Sequence, residues 1–428
     1  MNLRILPVLF LASRLLPCAL ATELYVATDG DDGNAGTLAA PFASLERAQR
    51  AASPGDTVWI RGGVYKFSGG RDAGAAAVTF DKSGAPEQRI HYWAYQDERP
   101  IFDFYDYQPR QRIRGFRVTA DWLHFKGLEL RGVQQTISRA NESWGIRVEG
   151  RRGADHNIFE QLDLHHNEGP GLFIQNGAHN LVLNCDSHHN YDPDRRGENA
   201  DGFGCHSDDD GNQLIGCRAW HNSDDGYDLV NSRGRVEMRG CWAWHNGFVP
   251  DSDRRAGNGA GFKAGGFLLD ARQFPPPDLV PRHLVQGCLA FDNRAQGFYA
   301  NHHPGGIDWV NNTAFHNPHG FNLKADVETD TWPARHMLRN NLAFSNRRDV
   351  SNVDANNVEA TNNSWQLDTT VSEGDFQSID PAGVDGPRGA EGELPELRFL
   401  RLAKGSPLVD SGLGAIQESK ETEATKPR

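Results

Sequence analysis

The sequence predicts an all-β protein: a parallel β-helix with three short strands per coil, a short N-terminal capping helix and a ladder of turn asparagines. Three observations predict it. First, a four-residue turn recurs, as LHHN ending at Asn167, SHHN at Asn190, AWHN at Asn222 and Asn246, AFDN at Asn293, AFHN at Asn317 and AFSN at Asn346. Second, successive turn asparagines are 23, 32, 24, 47, 24 and 29 residues apart, so the base unit is 23 or 24 residues with insertions, and such a period signals a solenoid. Third, the segments between turns, such as NLVLNC, QLIGCRAW and VEMRGCWAW, are short, alternate in polarity and read as strands. No amphipathic helical stretch separates them, which disfavours a βα solenoid.

The elements follow in chain order. Residues 1–21, MNLRILPVLFLASRLLPCALA, have a basic start at Arg4, an apolar run and a small-x-small end at Ala19-Leu20-Ala21, the pattern of a secretory signal. The expected mature chain starts after Ala21 and is exported. The β-helix domain is expected over 22–365. Ser44 to Ala52 has helical spacing, with Leu45, Ala48 and Ala51 on one side. A helix there would cap the open end of a solenoid, which otherwise exposes apolar core and unpaired strand edges. GDTVWIRGGVY is the expected first coil and VEATNNSW the last. A loop-rich segment over 366–415 is expected to pack on the helix, and 416–428 reads as a disordered tail.

Composition narrows the function. The chain has 428 residues, 46 of them glycine, and a formal net charge of −13, which disfavours a nucleic-acid partner. No internal stretch approaches the roughly 18 apolar residues of a membrane span, and the chain is expected to act as a monomer. An acidic protein that takes an acidic substrate needs a metal bridge or a local basic patch. Cys185, Cys217, Cys241 and Cys288 each lie five residues before a turn asparagine, with Asn312 and Asn341 in the same place later, so they read as a column of buried free thiols. His166, His189, His221, His245 and His316 precede turn asparagines and follow the repeat; they read as scaffold, not as metal ligands.

A second landmark follows six turns: Gly171-Leu172, Gly202-Phe203, Gly226-Tyr227, Gly261-Phe262, Gly297-Phe298 and Gly320-Phe321. Stacking the units puts Asp201 and Asp225 in one column, just before the glycine. Asp228, Lys263, Tyr299 and Asn322 share another, just after the large residue. Equivalent residues of adjacent coils lie about 4.8 Å apart in a parallel ladder. Asp201, Asp224, Asp225, Asp228 and Lys263 therefore converge on about three coils. Alternation along a strand places Asp228 and Lys263 on the solvent side, and the glycines of GNGAGFKAGG leave the lysine little cover. Carboxylates this close repel one another unless a cation sits among them, and an all-oxygen set favours Ca²⁺. A solvated acidic ridge, with Lys263 merely salt-bridged to Asp228, is the plainer alternative. Asp208-Asp209-Asp210 follows no column and reads as a solvated loop.

Calcium beside a basic lysine suits β-elimination on a uronic-acid polymer. The motifs ADGFGCH at Asp201, SDDGYDL at Asp224, Asp225 and Asp228, and GAGFKAGG at Lys263 resemble polysaccharide lyase family 9. The resemblance spans about Glu23 to Gly414. It implies a right-handed parallel β-helix, secretion, Ca²⁺ held by Asp201, Asp224, Asp225 and Asp228, Lys263 as catalytic base, and an acidic polysaccharide (polygalacturonate or pectin) as substrate. Tyr299, Asn301 and Asn322, with Arg233 and Arg235, are expected to bind substrate; His302 and His303 lie further along the coil of Asn301, and Arg254 and Arg255 are further basic candidates for uronate carboxylates. Three alternatives stay open: a lyase on alginate or a glycosaminoglycan, a β-helix polygalacturonase-type hydrolase, and a non-catalytic polysaccharide-binding solenoid. A hydrolase needs one protonated acid and one base, not a calcium cage and an outward lysine.

Overall fold

The computed structural model describes residues 21–137, 142–150, 153–267, 279–324, 334–354 and 356–412. Most of the leader and the whole tail 416–428 lie outside the described residues. Ten coils each contribute one strand to each of three parallel sheets, and sheet 1 has one further strand at either end, giving 12, 10 and 10 strands among the described residues. Sheet 1 runs from Glu23–Val26 to Val358–Thr361, sheet 2 from Gly63–Gly69 to Leu342–Phe344, and sheet 3 from Ala76–Phe80 to Val350–Ser351. The chain passes from sheet 1 to sheet 2, then through the asparagine turn to sheet 3. The ladder begins one coil earlier than GDTVWIRGGVY: Glu23–Val26 pairs in register with Thr57–Ile60.

The N-terminal cap is the helix Leu45–Ala51, with Ser44 accepting a hydrogen bond from Arg47 N. Leu45 and Ala48 close the core. Gln49 completes the exposed edge of sheet 3, donating to Thr79 O at 3.0 Å and accepting from Asp81 N at 3.0 Å. The helix thus buries apolar surface and also supplies the hydrogen bonds that an edge strand lacks.

Turn asparagines bond along the stack. Each side-chain amide from Asn167 to Asn317 donates to the next asparagine's Oδ1 at 2.9–3.1 Å. The residue before each is left-handed; His166, His189, His221 and His245 have φ of 54, 53, 52 and 51°. Their rings stack at 5.3, 4.8 and 4.6 Å, as scaffold. The thiol column lies between sheets 1 and 2. It passes into asparagines at Cys288 N, which donates to Asn312 Oδ1 at 2.9 Å, and all five described cysteines are free and buried. Asn157, Asn180 and Asn212 form a further ladder between sheets 3 and 1, which the turn motif does not reveal.

The glycine-aromatic landmark is the inner face of sheet 3. Phe203, Tyr227, Phe262, Phe298 and Phe321 stack with centroids 5.3, 4.6, 5.0 and 4.8 Å apart. The glycine is required by the spacing of the coils: a Cβ on Gly226 would stand 2.6 Å from Gly261 O. Residues beyond 366 lie on the outer face of sheet 2, where Val384 and Phe399 pack with Trp220, Trp244, Phe291 and Phe315. Arg388 bonds Asp186 there at 2.7 Å. Sheet 2 is therefore covered, and the outer face of sheet 3 carries the candidate site.

Candidate active site

Strand register fixes the outward column of sheet 3. It reads Arg117, Arg147, Phe173, Gly204, Asp228, Lys263, Tyr299, Asn322. Beneath Asp228 and Lys263, Tyr227 and Phe262 stack with rings 1° from parallel. The inner rings thus set the spacing of the outer charges.

Asp201 and Asp225 end the preceding turn in adjacent coils. Asp225 N donates to Asp201 Oδ1 at 3.0 Å, and Ala260 N to Asp225 Oδ1 at 2.6 Å. Asp228 Oδ1 accepts from Val230 N at 2.7 Å. Lys263 Nζ lies 3.0 Å from Asp228 Oδ2 and 3.2 Å from Asp225 Oδ2. Oxygens of Asp201, Asp225 and Asp228 all lie within 4.8 Å of one another. Asp224 is tied differently: its two oxygens accept from the Asn199 and Asn258 amides, and it fastens two loops beside the site.

Asp228 and Lys263 point outward from the sheet but do not face open solvent, contrary to the sequence expectation. Asp228 is 5% exposed and the Lys263 side chain 13%. The segments around Asn199 and Asn258, both in insertions between coils, close over the site through Asp224. The glycines after Lys263 do not open it either. Gly265 and Gly266 have φ of 140 and 96°, and side chains there would strike His303 and Asn301 of the next coil.

Burial first, and then like charge, raises the carboxyls: Asp201 well above the usual range, Asp224 above it, and Asp225 to about 7. Burial pushes the Lys263 ammonium down, but Asp228, Asp225, Asp224 and Asp201 together outweigh it and hold the ammonium well above its ordinary value. Burial lowers His206 to about 4, and its Nε2 stands 3.9 Å from Asp228 Oδ1.

The residues fit a hard divalent cation. Asp225 Oδ2 is buried and meets only the Lys263 ammonium, at 3.2 Å, among the described residues, and the converging ligand atoms are carboxylate oxygens. A second acidic group, Glu129, Asp163 and His165 on sheet 2, is paired with two arginines: Arg99 lies 2.5 Å from Glu129 and 3.1 Å from Asp163, and Arg131 3.6 Å from Glu129.

A cleft of about 520 Å³ opens over Asp225 and Lys263, lined also by Asn258, Arg294, Tyr299 and Asn301. Tyr299 and Asn301 are thus where the sequence places them, and the Tyr299 hydroxyl lies 3.1 Å from His302 Nε2. Asn322 does not line the cleft; it is buried, and its Oδ1 accepts from Asn352 Nδ2 at 2.6 Å. Nor do Arg233 and Arg235. They precede a strand of sheet 1 and contact Asp208 at 3.4 Å and Glu237 at 3.0 Å, at the wrong corner of the coil. Asp208, Asp209 and Asp210 are exposed, and Arg254 and Arg255 are too.

Arg294 is the cleft residue that the sequence reading passed over. Its Nη2 donates to Gly257 O at 2.6 Å and also to Asn258 O, while Nε is buried without a hydrogen-bond partner. Its one signal is its position directly after turn Asn293, beside the lysine's coil.

A parallel β-helix with a lysine set among buried carboxylates over an open cleft defines a polysaccharide lyase. Comparison with known proteins agrees and narrows the class. The chain belongs to the Pel9A-like, right-handed β-helix family, whose model matches residues 24–331. It is 36% identical to "Pectate lyase L" of Dickeya chrysanthemi over 91% of this chain and 85% of that one. It is 31% identical to "Pectate lyase PEL9" of Emericella nidulans over 91% and 95%. Two solved structures superpose closely: a rhamnogalacturonan lyase (TM-score 0.82, 35% identity, 90% of this chain and 97% of that) and pectate lyase Pel9A (0.78, 34%, 93% and 93%).

Proposed function

We propose that the chain is a secreted, calcium-dependent pectate lyase that cleaves 1,4-linked galacturonan by β-elimination. The observation that carries this is Lys263 Nζ, held 3.0 and 3.2 Å from Asp228 and Asp225 at the wall of the cleft. The relatives named pectate lyases support the substrate, and the leader over residues 1–21 supports export. Asp201, Asp224, Asp225 and Asp228 would hold the calcium: oxygens of Asp201, Asp225 and Asp228 lie within 4.8 Å of one another, and Asp224, whose oxygens also accept from the Asn199 and Asn258 amides, stands beside them. When bound, Ca²⁺ would neutralise the sugar carboxylate and offset the negative field that keeps Lys263 protonated.

The chain's own residues then act as follows. Lys263, once neutral, takes the C5 proton on its Nζ lone pair. The C5–H electrons form the C4=C5 double bond, and the C4–O4 bond breaks. Its electron pair leaves with the departing sugar, which is protonated from solvent. Arg294, held by the Gly257 and Asn258 carbonyls, would present its positive charge in the cleft to a uronate carboxylate, and Tyr299, oriented by His302, would pack a sugar against the cleft wall.

The test is a product profile from polygalacturonate. Unsaturated, ultraviolet-absorbing uronides should accumulate, stop with chelator and be absent with Lys263→Ala. Saturated products indifferent to chelator would overturn the reading. A second substrate is favoured by one observation: the superposing structure with TM-score 0.82 is a rhamnogalacturonan lyase. Rhamnogalacturonan, alginate and a glycosaminoglycan belong in the same panel.

A further inference from the structure

The outward column that carries Asp228 and Lys263 continues towards the N-terminal cap as Arg147 and Arg117. Arg112 and Arg114 stand beside them. One carboxylate serves three of these guanidiniums: Glu149 lies 3.0 Å from Arg114, 2.8 Å from Arg117 and 2.6 Å from Arg147. Glu142 lies 3.6 Å from Arg112. Four guanidiniums against two carboxylates leave a local surplus of positive charge on a chain whose net charge is −13.

The cluster is built rather than scattered. The Trp144 ring, fully buried, has the Arg147, Arg112 and Arg114 guanidiniums 3.7, 4.5 and 5.0 Å from its centroid. Arg147 Nη1 is buried and makes no hydrogen bond among the described residues. The forks of Arg117 and Arg112 reach outward, with side chains 41% and 38% exposed. The patch shares the outward column of sheet 3 with the catalytic cluster, joined to it through Phe173 and Gly204.

We propose that Arg112, Arg114, Arg117 and Arg147 form a distal subsite that binds a uronate carboxylate of the polymer whose scissile bond lies at Lys263. It rests on the uronan reading above. Arg147 is three coils from Asp228 and Arg117 four, or roughly 14 and 19 Å at ~4.8 Å per coil, a span of several linked sugars. Guanidinium forks match carboxylates bidentately, and the part-exposed Arg112 and Arg117 guanidiniums present that match at the surface. The polymer would therefore lie along the helix axis on sheet 3, with an uncharged stretch over Phe173 and Gly204 between its two charged contacts.

The test is affinity electrophoresis in calcium-containing gels cast with polygalacturonate or with an uncharged galactan. A Lys263→Met parent keeps the polymer intact. Arg112→Gln/Arg117→Gln changes only side chains more than a third exposed, and Arg398→Gln/Arg401→Gln removes the same charge from the exposed C-terminal segment. The distal pair should weaken polygalacturonate binding roughly five- to tenfold, each exposed contact being worth up to ~1 kcal/mol. The control pair should bind as the parent does, and galactan should retard none of them. Equal retardation of the distal variant and the parent would overturn the subsite alone. A parent that polygalacturonate does not retard, with no unsaturated product from the intact chain, would overturn the uronan reading itself.

Discussion

Asp225→Asn removes one charge from the cluster and keeps its shape. In the calcium-free chain, burial and its acidic neighbours lift this carboxyl from 3.8 to about 7. A raised folded-state value means that its contribution to stability is complete below about pH 4, declines as pH rises, and is lost above about pH 7. At pH 8 the ionised group costs the folded chain about 4 kcal/mol, three pKa units at ~1.4 kcal/mol each. Asparagine avoids that cost, in which the attraction of Lys263 at 3.2 Å is already counted, but buries an amide N–H₂ in its place, so the net gain is about 2–4 kcal/mol. The calcium-free variant should melt several degrees above the wild type at pH 8, with a smaller gap at pH 5. Calcium should reverse the order. The wild type gains about 4.1 kcal/mol at one thousand times its dissociation constant, whereas the variant lacks one of three converging carboxylates. Melting curves at both pH values, with chelator or with calcium, decide the matter. If the variant melts lower at pH 8 in chelator, or if calcium raises both proteins equally, the reasoning about this cluster is wrong.

Other outcomes follow from the same geometry. Lys263→Met should lower kcat by roughly 10²–10⁴-fold, the usual worth of a positioned base, while a calorimetric calcium titration still shows binding. Arg294→Ala should raise KM for polygalacturonate several-fold, measured by initial rates, because it removes the fork nearest Lys263 in the cleft. Asn222→Ala should cost about 3 kcal/mol or more in denaturant titrations. It leaves Ser187 O, 3.0 Å from the lost amide, and the Asn190 amide, 2.9 Å from the lost oxygen, buried without those partners. Cys185, Cys217, Cys241 and Cys288 should resist a thiol reagent in the folded chain and react on unfolding, since all are buried.

The scaffold was legible because it is periodic. The turn asparagines, the glycine-aromatic pairs and the thiol column each recur at nearly fixed spacing, and a fixed spacing converts directly into stacked coils. The convergence of Asp201, Asp225, Asp228 and Lys263 was legible for the same reason. What escaped lies where the period breaks. The loops that bury Asp228 and Lys263 belong to insertions, and a repeat says nothing about how an insertion folds back. Arg233 and Arg235 are close to Asp228 in sequence but turn a corner of the coil, towards sheet 1. Arg294 and Arg147 are distant in sequence and share the site's face. Nearness along the chain is a poor guide in a solenoid, whereas nearness in column is a good one.

That distinction explains how the fold tolerates a cluster of mutually repelling acids. Asp201 stands on one coil, Asp224, Asp225 and Asp228 on the next and Lys263 on the third, each coil fixed by its parallel neighbours, and Tyr227 and Phe262 stack directly beneath Asp228 and Lys263 at 4.6 Å. Splaying the acids apart would require opening that stack and breaking the Asn222–Asn246–Asn293 ladder at the adjoining turns, all in the buried interior. Each buried ring contributes roughly 1.5–3 kcal/mol, comparable with the cost of one ionised acid, and the coils act together. Repulsion therefore cannot relax by moving the backbone. It relaxes by taking up a proton or a cation, and the lysine's proton affinity follows whichever of these is bound. The rigidity of the ladder is thus what couples cation binding to the basicity of Lys263.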